Sequence, residues 1–156
     1  VALAAAVSYG ALIGPAQVGA RIVEMANKGR HHPLWTLITA MVLVAAGVGM
    51  LAAGLPPVGV ALVLYGAGNG IYSIARGTVP LALFGAERYP VLVGRLARPG
   101  LIAQALAPSL GAVALTYGGP DAAYGLLVAL ALANVGLAGA LWGMRPDAAK
   151  EIGGVR

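Results

Sequence analysis

Residues 34–54 read LWTLITAMVLVAAGVGMLAAG, without one charged side chain. A helix needs about 20 mainly apolar residues to cross the ~30 Å hydrocarbon core of a bilayer. Four further stretches, 2–24, 58–84, 92–117 and 122–143, reach that length, each interrupted by Pro or by polar residues. Only 10% of the 156 residues are charged, whereas a soluble domain carries about 25% to keep its surface wet. Aromatic residues make up 6% and there are 24 glycines, a composition that favours close approach of helix backbones in lipid. Transmembrane strands would alternate apolar and polar residues over about ten positions, and these runs do not. The expected fold is therefore all-α: a polytopic bundle of about five spanning helices over residues 1–145, followed by a polar tail at 146–156.

The charges fix an orientation. If the chain crosses the membrane at each run, the 25–33 loop, the 85–91 loop and the C-terminal tail share one side. The tight turns at 55–57 (LPP) and 118–121 (GGPD) share the other, as Gly and Pro stop helices. Arg21, Lys28, Arg30, Arg76, Arg88, Arg95, Arg98, Arg145, Lys150 and Arg156, all the Lys and Arg in the chain, lie in or towards the first side. The second side keeps only Asp121. Basic residues accumulate on the cytoplasmic side of membrane proteins, so the expected C-terminus is cytoplasmic and the expected location is the bacterial inner membrane. A net charge of +5 is explained by this asymmetry. Nucleic acid is not an expected partner, because no basic face with interleaved aromatics exists; the lipid bilayer is.

Three stretches carry a family resemblance. GARIVEMANKGRH, 19–31, resembles the Gly-x-x-x-Asp-Arg-x-Gly-Arg-Arg cytoplasmic loop of the major facilitator superfamily. Gly19, Arg21, Lys28, Gly29 and Arg30 supply its small and basic parts, with Glu24 as the acidic member at a longer spacing. GALIGPAQVG, 10–19, is similar to the family's Gly-x-x-x-Gly-Pro antiporter motif. That motif belongs to a helix running from inside to outside, opposite to the direction here, so antiport is not carried over. YGAGNGIYSIARGTVPLALFG, 65–85, resembles a tenth helix of bacterial members. The resemblance implies helices eight to twelve of a twelve-span secondary transporter. The chain begins at Val1 without an initiator Met, and the expected partner is then the missing N-terminal half of the same protein.

An uncompensated polar group within a bilayer is costly and needs a reason. Asn69, Tyr72, Ser73 and Arg76 fall three, four and seven positions apart from Asn69, on one helical face. Arg76 stands about nine residues before the cytoplasmic end of its run, or roughly 13 Å. Either it faces a cavity and attracts an anionic group of a small solute, or it bonds backbone carbonyls at a cytoplasmic gate. Gln104 lies mid-run, one turn before Pro108, and is either a substrate-facing amide or an interhelical bridge. Gln17 is a further cavity candidate. Arg21, Glu24, Lys28 and Arg30 are candidates for a cytoplasmic loop or gate, with Arg21 and Glu24 spaced for a helical ion pair. Gly10 and Gly14, Gly66 and Gly70, and Gly139 and Gly143 are spaced for helix packing.

Other chemistries lack their residues. There is no Cys, hence no thiolate metal site or Cys nucleophile. His31 and His32 have no partners for a metal site. No HExxH, GxSxG or paired carboxylates occur, so neither an enzyme nor a cofactor is expected. The expected function is transport of a small solute by alternating access. The alternatives are a self-contained five-span subunit of an oligomeric permease or channel, or a non-transporting membrane scaffold.

Overall fold

In the computed structural model, residues 3–26 and 32–143 are described, and among them every regular element is a helix. Lys28, Arg30, His31, the expected cytoplasmic tail and the other tail cations lie outside the described residues. The elements are α1 (Leu3–Gly10), α2 (Ile13–Ala26), α3 (Pro33–Ala52) and α4 (Val58–Gly143). α3 and α4 are long and apolar enough to cross a membrane.

The first apolar run is two helices rather than one. A turn at Ala11 and Leu12 separates α1 from α2, with Leu12 N–H bonding back to Tyr9 O at 3.1 Å in a tightened turn. Pro15 has no N–H to give to Ala11 O, and its ring crowds the carbonyl one turn earlier. The helix therefore restarts just ahead of it.

α3 is closed at both ends by local chemistry. At its start His32 is the N-cap, its Nδ1 accepting from Leu34 N–H at 3.2 Å, with Pro33 in the first turn. Pro suits that position because the N–H it lacks would be unpaired anyway. At its end Gly54 takes φ 63°. Gly54 N–H bonds to Leu51 O at 3.1 Å and Leu55 N–H to Met50 O at 3.0 Å, the paired bonds of a Schellman cap. The expected turn at 55–57 follows, with a cis peptide between Pro56 and Pro57.

α4 is not one rod. Gly85 (φ 74°, ψ 169°) and Gly119 (φ 72°, ψ −175°) leave helical geometry and divide it into arms over 58–84, 86–118 and 120–143. Both glycines occupy a region of backbone space that side-chain-bearing residues essentially never enter. The charged segment 85–91, expected as a loop, is helical from residue 86 onward; the break is confined to Gly85. The break at Gly119 falls inside the expected 118–121 turn.

The contacts give the arms their directions. Gly66 of the first arm lies against Ile13 of α2, and Gly70 against Gln17, so these two helices run parallel. Gly68 lies against Ala40 and Val44 of α3, while Gly47 of α3 lies against Ala61 and Tyr65; this pair is antiparallel. Leu34, Ala75 and Val79 form a buried cluster with Leu37, Leu83 and Trp142 around it. Trp142 also meets Trp35 at 4.6 Å between ring centroids and His32 edge-on at 6.3 Å. The start of α3, the end of the first arm and the end of the third arm therefore share one end of the molecule.

Glycine makes the seam possible. A Cβ on Gly68 would stand 2.7 Å from Ala40 O and 2.8 Å from Val44 N; one on Gly66 would stand 2.7 Å from Ile13 O. Real Cβ atoms do not approach backbone so closely, so the first arm is wedged between α2 and α3 by its missing side chains. Of the three spaced glycine pairs, 66 and 70 are at such a contact. Gly10, Gly14, Gly139 and Gly143 have nothing within 4 Å of a built Cβ.

Candidate functional site

One cavity of about 460 Å³ opens between α3 and the first two arms of α4. The first arm contributes Tyr72, Ala75, Arg76, Val79 and Pro80. The second contributes Val93, Leu96, Ala97, Gly100, Leu101 and Gln104, and α3 contributes Leu37. The reversal at Gly85 lays the two arms side by side and brings Arg76, before the break, level with the residues that follow it.

Of the six residues singled out for a cavity, Tyr72, Arg76 and Gln104 line this one. Arg76 is its only charged lining residue, and no carboxylate joins it there. The guanidinium offers five N–H donors in a planar fork. The other three lie elsewhere. Ser73 Oγ donates to Gly70 O at 2.6 Å, so its hydroxyl is spent within its own helix. Asn69 is half-buried outside the lining. Gln17 is half-buried on α2, and its backbone is the surface on which Gly70 rests. Side chains three and four apart share a helix face only broadly; the neighbouring arm touches one edge of it, at Tyr72 and Arg76.

At the end of the bundle marked by Trp142, Glu24 takes a different partner from the expected one. Thr36 Oγ1, on α3, donates to Glu24 Oε1 at 2.6 Å, and Thr36 is buried. Among the described residues no ion pair joins Glu24 to Arg21, which is exposed. The carboxylate ties α2 to α3 across the segment 27–31. Thr36→Val is expected to lower stability by about 1–2 kcal/mol, by leaving that half-buried carboxylate without its donor. Glu24→Gln, which keeps an acceptor, is expected to lose less. Thermal unfolding followed by the fluorescence of Trp35 and Trp142 checks the order of the two.

The cavity walls were not legible in the sequence. Leu37, Val93, Leu96 and Leu101 have the same chemistry as side chains that would face lipid, and only the reversal at Gly85 sets them around a shared, open-sided space, with Leu96 and Leu101 still 57% and 61% exposed. His32 as a helix cap had a faint signal, the Pro33 that follows it. No protein-family model, no curated protein and no solved structure matches this chain.

Proposed function

We propose that this chain is embedded in a membrane and carries a small solute across it by alternating access, as the C-terminal part of a secondary transporter of major facilitator type. The observation that carries the reading is the cavity that joins Tyr72, Arg76 and Gln104 between helical arms. A mostly apolar cleft with a few convergent polar groups is the usual form of a small-molecule site, and transporters place theirs between helices near mid-bilayer.

Several features support five spans. Each arm of α4 is long enough to cross ~30 Å of hydrocarbon at 1.5 Å per residue. Many large apolar side chains stand exposed on the bundle, among them Ile102 and Leu110 at 61% and 59%. Such a surface suits lipid or a neighbouring helix rather than water. The one-sided Lys and Arg of the sequence support a cytoplasmic position for the end marked by Trp142. On this reading the first run crosses as the broken pair α1 and α2, and the N-terminal half of the transporter completes the cavity.

The test is flux. In the full-length protein, Arg76→Ala is expected to reduce solute uptake or efflux about tenfold while membrane insertion is retained. Undiminished flux at equal membrane abundance would remove Arg76 from the site. A chain that inserts and assembles but moves no solute, with Asn69, Arg76 and Gln104 all tolerant of apolar replacement, would instead favour a scaffold.

A further inference from the structure

The cavity has an unusual balance of chemistry: one cation, one amide, one phenol, and otherwise hydrocarbon. Its lining runs from Tyr72 to Pro80 along one arm and from Val93 to Gln104 along the other. At 1.5 Å per residue these are about 12 and 16 Å, so the space is a slot lying along the helices, with Arg76 about midway on its side. We infer that this slot binds an organic monoanion, with a single carboxylate on Arg76 and an apolar chain along the hydrocarbon walls. The inference rests on the transport reading for its claim that the occupant is cargo.

Charge sets the number of anionic groups. One guanidinium can neutralise one carboxylate, which its planar fork fits in bidentate fashion. Val79 is buried, while Leu96 and Leu101 are 57% and 61% exposed, so the slot is open on that side. Once that side faces lipid or a neighbouring helix, as the transport reading has it, a second negative charge would lie unpaired among hydrocarbon, where an uncompensated ion is heavily penalised. A neutral ligand would leave the guanidinium without the acceptor its position invites. Tyr72, one helical turn from Arg76, and Gln104 are the slot's other polar lining side chains. The hydrocarbon walls then set a dependence on chain length. Burying a methylene is worth about 0.8 kcal/mol, which at 1.4 kcal/mol per decade is up to about fourfold in affinity for each carbon.

The experiment is calorimetric titration of the full-length protein in phosphatidylcholine nanodiscs at neutral pH, with empty discs subtracted. The probes are octanoate, hexanoate, octanamide and the dicarboxylate suberate. Octanoate is expected to bind saturably, hexanoate up to about fifteenfold more weakly by the same increment, and octanamide and suberate at least tenfold more weakly. Arg76→Gln is expected to lose octanoate binding at least tenfold, and Arg88→Gln, outside the slot, to keep it. Gly100→Leu is the second variant. A Cβ there meets nothing within 4 Å, so the new side chain enters the slot without disturbing the fold and should abolish the preference for octanoate over hexanoate.

Equal binding of octanamide or suberate, no effect of Arg76→Gln, or no octanoate binding would each overturn the inference. If Arg76→Gln does not fold, Gly100→Leu decides. Repeating the titration with phosphatidylglycerol in the discs separates a soluble carboxylate from a lipid head group: unchanged affinity supports the former, and loss of octanoate binding overturns it in favour of lipid. Monoanion binding by a full-length protein that moves no solute would sink the transport reading and leave the site. Flux indifferent to charge would sink the inference alone.

Discussion

Gly70→Leu is expected to abolish the packed bundle. A Cβ at residue 70 would overlap the carbonyl oxygen of Gln17 and stand 2.9 Å from its Cα. These are backbone atoms of α2, so no rotamer change relieves them; the helices must separate. The first arm has nowhere to go, because Gly68 on its other side already rests against Ala40 O and Val44 of α3. Overpacking a core costs about 1–3 kcal/mol, and a clash with fixed backbone on both flanks belongs at or above the top of that range. Loss of the seam also removes the close dispersion contacts that hold helices together in lipid, where hydrophobic burial contributes little between spans. The control is Gly139→Leu, at a glycine with nothing within 4 Å of its built Cβ. Thermal unfolding in nanodiscs should give a normal melt for Gly139→Leu and no cooperative melt for Gly70→Leu. Matching melts would mean that the glycine seam is not what joins α2 to α4.

Gly85→Val is the second large effect. At φ 74° and ψ 169° a β-branched residue is strained by about 1–3 kcal/mol, towards the upper end. The chain can escape the strain only by continuing as helix, and that would carry residues 86–118 away from residues 58–84. The cavity would then be lost, since Arg76 and Gln104 come to line one space only through this reversal. Gly94→Ala, in the second arm and free of close neighbours, should be neutral or slightly stabilising. Unfolding temperature and octanoate binding should fall together for Gly85→Val and stay together for Gly94→Ala. An unchanged Gly85→Val would mean that the reversal is specified by packing and not by the glycine.

The helical class was legible because it depends on run length, and mainly apolar runs of about 20 residues leave few other structures available. The boundaries were legible where the breaker is strong. GGPD marked the turn near Gly119, and LPP marked the end of α3 beside the Gly54 cap. They were less legible where charge stood in for a breaker. Glu87, Arg88, Tyr89 and Pro90 suggested a loop, yet the helix resumes at residue 86 and carries Pro90 as its fifth residue, forgoing only the bond that an N–H there would give to Ala86 O. Conversely Pro15, inside an apolar run, splits a helix that length alone would have kept whole. Of the polar residues, Arg76 and Gln104 were conspicuous by composition. That both line one cavity depends on the turn between them, and Thr36, an ordinary polar residue in the cleanest apolar run, gave no sign that it would hold Glu24.

The most direct measurement is the sidedness of α4. The chain has no native cysteine, so Glu87→Cys and Asp121→Cys can each be made as the single thiol and exposed to a membrane-impermeant maleimide in intact cells. These positions flank the arm over 86–118, which must cross the membrane if the bundle has five spans. The account predicts labelling of Asp121→Cys in intact cells and of Glu87→Cys only after the membrane is opened. Labelling of both positions from the same side would mean that this arm does not span, and both the topology and the transport reading built on it would fall.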